Sequence, residues 1–207
     1  FGHGLPVVHG RDAVQYKGRW GDCFEREAPL CLEIGSGNGF FLEGMAQKFP
    51  EKNWLGIEIR YKRVIMVAKK LEIAGVNNAR ILRYDNWCLD DLFEEGVFEA
   101  VYCNHPDPWS KKRQAHKRIL SKPFANWMAW TMKDGAEWRI KTDFETHIDT
   151  MLKVIADLPF EVLGEARDAH NVGFPWESSE DVTTNYERKF IERSEPIYAL
   201  RLRRTNR

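Results

Sequence analysis

The sequence predicts a single α/β domain built on a mostly parallel β-sheet with helices on its faces. Short apolar segments of the kind that form buried strands alternate along the chain with amphipathic helical stretches. A length of 207 residues with 43% hydrophobic residues suits one packed domain. We expect a partly ordered N-terminal extension over residues 1–28, followed by the single domain over residues 29–207.

The predicted elements alternate between strand and helix for most of the chain. The second predicted helix carries Val64, Val67, Ala68 and Leu71 on one face, which is expected to cover the sheet. The strands are expected near residues 30–34, 54–58, 79–83, 98–103, 136–141, 160–164 and 196–202, and the helices near 40–49, 60–74, 121–132 and 144–157.

Two segments, 104–120 and 165–195, are too long to be simple connections. Each follows a predicted strand. Because ligands of open α/β sheets bind at the carboxyl ends of the strands, both segments are expected to build a site.

The composition excludes several function classes. Lys and Arg together number 31, as do Asp and Glu, which argues against a globally basic nucleic-acid binder but leaves room for a local basic patch. No apolar run approaches the ~20 residues that span a bilayer, and the first residues lack the apolar core of a secretory signal. The chain does not begin with Met, so the question of whether a segment precedes Phe1 stays open. We expect a cytoplasmic protein without membrane contact.

The cysteines and histidines show no metal-binding spacing. No Cys-x-x-Cys occurs, and no histidine pair has ligand spacing on a predicted helix. We therefore expect no metal, and buried thiols of a reducing compartment at Cys23, Cys31, Cys88 and Cys103.

A glycine-rich turn follows the first predicted strand, with glycine at positions 35, 37 and 39. A dinucleotide-binding Gly-x-Gly-x-x-Gly pattern needs its third glycine at position 40, where this chain has Phe40. The Gly-x-Gly-x-Gly spacing instead resembles the nucleotide loop of methyltransferases that use S-adenosylmethionine. Gly35, Gly37 and Gly39 are therefore candidates for cofactor binding, although taken alone they also fit a tight turn.

Acidic residues stand at three successive strand ends. Glu58 is placed to accept hydrogen bonds from both ribose hydroxyls, and Asp85 is placed to accept one from an adenine amino group. Glu33 is placed to face the cationic methionyl end of the cofactor. Each acid alone also fits a solvated surface carboxylate, but three behind one glycine turn favour a cofactor site. Asn86 belongs to the same candidate site; it is larger than the residue usual there in related cofactor sites, which leaves the adenine end less defined.

The most specific stretch begins at Asn104 and reads Asn-His-Pro-Asp-Pro-Trp-Ser-Lys-Lys-Arg. From residue 111 to 122 the chain carries six Lys or Arg residues and no acid, so the zero net charge conceals a local patch. Such a patch either neutralises nucleic-acid phosphates or forms a solvated basic loop.

Together these motifs resemble bacterial tRNA (guanine-N7-)-methyltransferases over residues 20–203. The similarity lies in the runs at 32–35, 56–60, 106–109 with Lys111, 142–143 and 183–189. The resemblance implies a Rossmann-like S-adenosylmethionine-dependent methyltransferase fold with a seven-stranded sheet whose last strand is antiparallel. It implies methyl transfer from S-adenosylmethionine to N7 of a guanine in the tRNA variable loop, with S-adenosylhomocysteine as product. We expect a monomer or a homodimer, and the sequence does not decide between them.

Guanine N7 has a free lone pair, so its methylation needs alignment and electrostatic stabilisation rather than a strong base. Asp107, between two prolines, is the catalytic candidate; it is also placed to hold the guanine amino edge or the cationic end of the cofactor. Trp109 and Tyr186 are stacking candidates that also fit hinge or core packing. The substrate-binding candidates are Lys111, Lys112, Arg113, His116, Lys117 and Arg118 for phosphates, and Asp143, Thr184 and Glu187 for the base.

Three alternatives stay open at this point. A nicotinamide-dependent oxidoreductase is disfavoured by Phe40. A catalytically silent tRNA-binding module is disfavoured because the acidic positions are filled. A methyltransferase acting on an exocyclic amine through Asn104-x-Pro106 fits less well than the guanine-N7 family. The order of residues after Arg113 also departs from the pattern of that family. The basic character of the loop is therefore a firmer expectation than any single contact from it.

Overall fold

The sheet of this protein, seen in a computed structural model that describes residues 6–8 and 10–206, has eight strands in the order β1-β4-β3-β2-β5-β6-β8-β7. Neighbouring strands are parallel except for β8, which is antiparallel to both β6 and β7. The strands are β1 (Val7–Val8), β2 (Leu30–Ile34), β3 (Asn53–Ile57), β4 (Ala79–Leu82), β5 (Phe98–Asn104), β6 (Met132–Thr142), β7 (Phe160–Ala166) and β8 (Tyr198–Arg204).

The antiparallel last strand is confirmed, but the predicted count of seven strands was wrong by one. The additional strand is β1, which pairs in parallel with β4 at the edge of the sheet. Two residues are too few to produce a periodic pattern in the sequence, so only pairing with a neighbour reveals such a strand.

Helices cover both faces of the sheet. They are α1 (Gly10–Ala13), α2 (Trp20–Phe24), α3 (Phe40–Lys48), α4 (Tyr61–Ile73), α5 (Lys122–Thr131), α6 (Glu145–Ile155), α7 (Ala169–Val172) and α8 (Asn185–Arg193). In α4 the predicted apolar face is confirmed, because Val64, Val67, Ala68 and Leu71 are all buried. Within the described residues, no helix is long and apolar enough to cross a membrane.

The core has two layers because alternate strand residues point to opposite faces. Leu30, Leu32 and Ile34 belong to the layer that includes α5 and α6, whereas Cys31 belongs to the layer under α3 and α4. The region 165–195, expected to be a long loop, contains α7 and α8. The second of these helices is polar enough that its sequence resembles a loop, and it lies beside the carboxyl ends of the central strands.

Candidate active site

The predicted site residues converge because five central strands are parallel neighbours and their carboxyl ends therefore share one edge of the sheet. The residues that directly follow β2, β3, β5 and β6 are Gly35, Glu58, His105 and Asp143, and Asp85 comes three residues after the end of β4. The strand order reverses at β2, which lies between β3 and β5. The cleft opens at this switch point.

The cleft has two chambers. The Glu58 chamber, of about 400 Å³, is lined by residues 58–60, 85–87 and part of the 104–109 segment. The Thr184 chamber, of about 390 Å³, is lined by Glu33, the glycine turn and residues 184–186. Five residues line both chambers: Gly35, Arg63, Asn104, His105 and Asp107.

The glycine turn brings backbone to the cleft where a side chain would interfere. Gly35 has a φ of +75° and open space at the position of a Cβ, and its amide donates to the Ile57 carbonyl at 2.9 Å. Gly39 has a φ of +74°, and a Cβ there would lie 2.8 Å from Cγ1 of Val67 on α4. Glycine is therefore required at position 39 by both conformation and packing.

The acids of the Glu58 chamber are held by backbone donors. Oε2 of Glu58 accepts from the Gly37 amide at 3.1 Å, and Oε1 accepts from the Arg60 amide at 2.9 Å. Oδ1 of Asp85 accepts from the Trp87 amide at 3.1 Å, and Oδ1 of Asn86 is buried without a hydrogen-bond partner among the described residues. Fixed acceptors at the chamber wall suit recognition of hydroxyl and amino groups.

Glu33 is buried at the floor of the Thr184 chamber, with 2% of its surface exposed. Its Oε1 accepts from Nδ2 of Asn104 at 3.3 Å, whereas Oε2 has no hydrogen-bond partner in the described chain. Burial raises the pKa of this carboxyl from 4.5 to about 7. A buried carboxylate with a free oxygen is a site for a cationic ligand group.

The segment after β5 is strained on both sides of Asp107. His105 and Trp109 have φ values of +49° and +39°, a region that costs about 1–3 kcal/mol for a non-glycine residue. Asp107 itself is exposed and lines both chambers. The two strained residues therefore flank the segment that brings this carboxylate to the junction of the two chambers.

The basic loop continues as a 3₁₀ turn over Lys112–Lys117. Lys111, Arg113, His116 and Lys117 are exposed, and Nζ of Lys117 lies 4.8 Å from the ring centroid of Trp109. The side chain of Lys112 lies outside the described part of the structure.

Arg118 differs from the rest of the loop because its guanidinium turns inward. Its Nε donates to the Pro108 carbonyl at 3.1 Å, and its Nη2 donates to the Trp109 carbonyl at 3.0 Å. This geometry assigns Arg118 to holding the loop, against the predicted phosphate contact.

Glu187 is likewise engaged inside the protein. Its Oε2 lies 2.9 Å from Nζ of buried Lys141, which also pairs with Asp181 at 2.5 Å. The hydroxyl of Thr184 accepts from the Glu187 amide at 2.9 Å, and the Glu187 carboxylate accepts from the Thr184 amide, a capping box at the start of α8. Glu187 is 2% exposed and absent from both chamber walls, which argues against the predicted contact with guanine.

Thr184 does line the chamber named after it, and Asp143 lies behind its wall. Oδ2 of Asp143 accepts from the Tyr186 hydroxyl at 3.3 Å, and Oδ1 lies 4.0 Å from Nδ1 of His105. The exposed Tyr186 ring packs on His105 with the ring centroids 4.8 Å apart. The structure therefore brings β6, β5 and α8 together at this chamber.

Sequence reasoning missed several lining residues. Arg63, in the first turns of α4, lies 3.6 Å from Glu58, and Lys189 of α8 lines the Thr184 chamber. His105 carried a signal, since it directly precedes Pro-Asp-Pro, and the Thr-x-x-Glu spacing at 184–187 is itself a capping signature. Across residues 6–8 and 10–206, no group of three or more His, Cys, Asp or Glu residues is arranged to hold a metal ion.

Comparison with known proteins gives consistent similarities. The family model described as "Putative methyltransferase" matches residues 27–200. The tRNA (guanine-N(7)-)-methyltransferase of Bacillus velezensis is 33% identical over 187 residues, which cover 90% of this chain and 84% of that protein.

Solved structures are similar in fold at low sequence identity. The 16S rRNA methyltransferase KamB matches with a TM-score of 0.68 at 12% identity, covering 91% of this chain and 94% of that one. Geranyl diphosphate C-methyltransferase of Streptomyces coelicolor A3(2), solved with S-adenosyl-L-homocysteine, matches with a TM-score of 0.56 at 14% identity, covering 87% of this chain and 76% of that one. The predicted methyltransferase fold is confirmed.

Proposed function

Because the chain belongs to the tRNA (guanine-N7-)-methyltransferase family, we propose that it transfers the methyl group of S-adenosylmethionine to N7 of a guanine in the variable loop of tRNA. The observation that carries the proposal is the pair of chambers that meet at Asp107. The Glu58 chamber is walled by fixed acceptors and reaches Lys117 of the basic loop, and the Thr184 chamber lies beside α8. Two ligands that must react with each other need such a junction. A tRNA substrate places the enzyme in the cytoplasm.

The residues present fit S-adenosylmethionine. The unpartnered Oε2 of Glu33 suits its cationic methionyl end, and the Gly35 backbone leaves open space beside it. Glu58 has a free lone pair on each oxygen for the ribose hydroxyls, and Asp85 with the unpartnered Oδ1 of Asn86 suits the adenine amino group. When bound, S-adenosylmethionine supplies an electrophilic methyl group on a sulfonium.

The protein groups act on the guanine mainly by orientation and charge. N7 is a nucleophile at neutral pH, so no proton has to leave it and no general base is required. Asp107, at the junction, stabilises the positive charge that develops on the purine and helps to align it. Lys111, Arg113, His116 and Lys117 meet the tRNA phosphates.

The guanine swings out of the tRNA and enters the Thr184 chamber on its α8 side, at residues 184–186, and Glu33 at the floor of the same chamber is left to the methionyl end of S-adenosylmethionine. The lost stacking is offset by contacts with the exposed ring of Tyr186, whereas Trp109 lines only the Glu58 chamber. Asp143 lies behind the chamber wall at the end of β6 and acts on the base through Tyr186, because it accepts a hydrogen bond from the Tyr186 hydroxyl and so orients that ring. Thr184 sits at the chamber wall and positions α8 through its capping box.

The test is to incubate tRNA with S-adenosylmethionine that carries a labelled methyl group and to map the labelled nucleotide. We expect label on N7 of one variable-loop guanine, and none on a transcript in which that guanine is replaced by adenine. Label on an exocyclic amine would replace the proposal with the amine methyltransferase. Binding of tRNA without label or cofactor binding would support the silent module, and reduction of a nicotinamide would support the oxidoreductase.

A further inference from the structure

His105 holds a buried imidazole that the protein leaves without hydrogen bonds. Its side chain is 5% exposed, and neither Nδ1 nor Nε2 has a hydrogen-bond partner in the described chain. A neutral imidazole has one donor and one acceptor, and leaving buried polar groups unpaired is rare in native proteins. Because His105 lines both chambers, a ligand in the cleft is the natural source of the missing partner.

The surroundings of the ring indicate which nitrogen is free. Nδ1 lies 4.0 Å from Oδ1 of Asp143, too far for a hydrogen bond but close enough to favour the proton on Nδ1. The Nε2 lone pair is then an acceptor. Burial lowers the pKa of His105 to about 3, so the ring stays neutral and keeps this acceptor throughout the working pH range.

The ring also belongs to the α8 side of the cleft. It packs on Tyr186 and stacks on Phe190, with centroid distances of 4.8 Å and 6.3 Å. Residues from α8 line only the Thr184 chamber, whereas Glu58 and Asp85 line only the other. N7 belongs to a different edge of guanine from the Watson–Crick donors N1–H and the 2-amino group, so a guanine whose N7 faces the methyl donor turns these donors toward another part of the chamber wall.

We propose that His105 is a specificity-determining residue whose Nε2 accepts a hydrogen bond from an N–H of the Watson–Crick edge of the target guanine. This inference rests on the proposed function. It gives the N1–H and 2-amino donors of guanine an acceptor that Glu187, bound to Lys141, does not supply. Tyr186 packs on the ring of His105 and is 46% exposed, so the inference requires its side chain to turn from His105 onto the face of the entering base.

The experiment measures single-turnover methylation of tRNA transcripts with guanine, inosine or 2-aminopurine at the target position. Inosine lacks the 2-amino group, and 2-aminopurine lacks N1–H. His105→Phe keeps the aromatic packing and removes both nitrogens. On the guanine transcript we expect kcat/KM of His105→Phe to be about tenfold below that of wild type. On the analogue that lacks the contacted N–H, we expect variant and wild type to have the same kcat/KM. Differences in the reactivity of N7 among the bases cancel, because wild type and variant are compared on each base.

Two further variants separate recognition from packing. His105→Gln offers a carbonyl acceptor and should recover part of the preference for guanine. His147→Phe removes another buried imidazole, one bonded to Thr142 and absent from both chamber walls, and should leave the preference among the three bases unchanged. If His105→Phe does not fold, His105→Leu takes its place.

Equal losses for all three bases would overturn the inference, as would a His105→Phe defect confined to binding of S-adenosylmethionine measured by calorimetry. Failure of the proposed function is distinguishable, because wild-type protein would then place no methyl group on N7 of guanine in any transcript.

Discussion

Glu33 and Glu187 are two carboxylates of the same cleft region, and each has 2% of its surface exposed. Glu187 accepts hydrogen bonds from Lys141 and from the Thr184 amide. Glu33 accepts one from Asn104 and keeps Oε2 free. Both of the Glu187 bonds fall on Oε2, and its Oε1 lies 3.6 Å from Nε2 of His170. The two carboxylates are equally buried but differ in their partners: Glu187 has a buried cation beside it and fastens α8 to the sheet, whereas Glu33 has no ion-pair partner among the described residues.

The charged groups around the two carboxylates also differ. Around Glu187, Lys141 faces two carboxylates and Arg139 holds Glu180 at 2.7 Å, so the segment before α8 is pinned by internal ion pairs. Around Glu33, burial raises the carboxyl pKa to about 7. The charges of the first region are paired within the protein, whereas the Glu33 carboxyl forms no ion pair with the described residues.

The largest effect is expected when the buried ion pairs around Glu187 are removed. Lys141→Met leaves the Asp181 and Glu187 carboxylates without their buried cation, and should lower the free energy of unfolding by about 3–5 kcal/mol. Urea denaturation measures this loss in unfolding free energy. Lys48→Met is the matched control: Lys48 is exposed and donates only to the carbonyls of Ser178 and Asp181, so we expect a loss below about 1 kcal/mol. Equal losses in the two variants would contradict the distinction.

Glu33→Gln should test the region around Glu33, because it changes how the unfolding free energy depends on pH. The folded-state pKa is raised from 4.5 to about 7, so between these values the folded protein binds more protons than the unfolded chain and stability falls as pH rises. Relative to wild type, Glu33→Gln should gain roughly 3 kcal/mol in unfolding free energy between pH 4 and pH 8. Urea denaturation of both proteins at each pH gives this difference. A difference that does not change with pH would mean that the Glu33 carboxyl has the same pKa in the folded protein as in the unfolded chain.

Asp107 lines both chambers, and its charge is expected to matter for the methylation rate. Asp107→Asn keeps the size of the side chain, and should lower the single-turnover methylation rate roughly 100-fold with little change in tRNA affinity. Asp90→Asn, at an exposed position in the 3₁₀ turn Leu89–Asp91, is the control and should be unaffected. Weaker binding of S-adenosylmethionine at a normal rate would assign Asp107 to the methionyl end. An unchanged rate with normal binding would leave the Pro-Asp-Pro segment as a rigid turn.

The smallest effect concerns the basic loop at the mouth of the cleft. Changing Lys111, Arg113 and Lys117 to Gln should reduce the slope of log affinity for tRNA against log salt by about 2, since fewer counterions are released. Filter binding at several salt concentrations gives the slope. The same changes at Lys52, Lys133 and Lys153, away from both chamber walls, should leave the slope near the wild-type value. If the loop variant also kept that slope, the patch would be a solvated surface.

The sequence by itself determined the alternating elements, the glycine turn and the acids at successive strand ends, because strand periodicity and turn chemistry are local properties. It also indicated the Pro-Asp-Pro-Trp segment. It did not reveal β1, since two residues carry no pattern. It placed Glu187 at the base although its partner Lys141 lies 46 residues away.

Only the tertiary structure decided which polar groups are satisfied. Arg118 turns back onto the loop that precedes it, Glu187 pairs with Lys141, and Glu33 and His105 keep unpaired atoms at the cleft. A side chain's hydrogen bonds depend on groups that distant segments bring within about 3 Å, and residue type and spacing do not record those distances. The sequence thus determined which residues reach the carboxyl edge of the sheet, and the packing of α8 and of the 104–118 segment decided which of them stay available to a ligand.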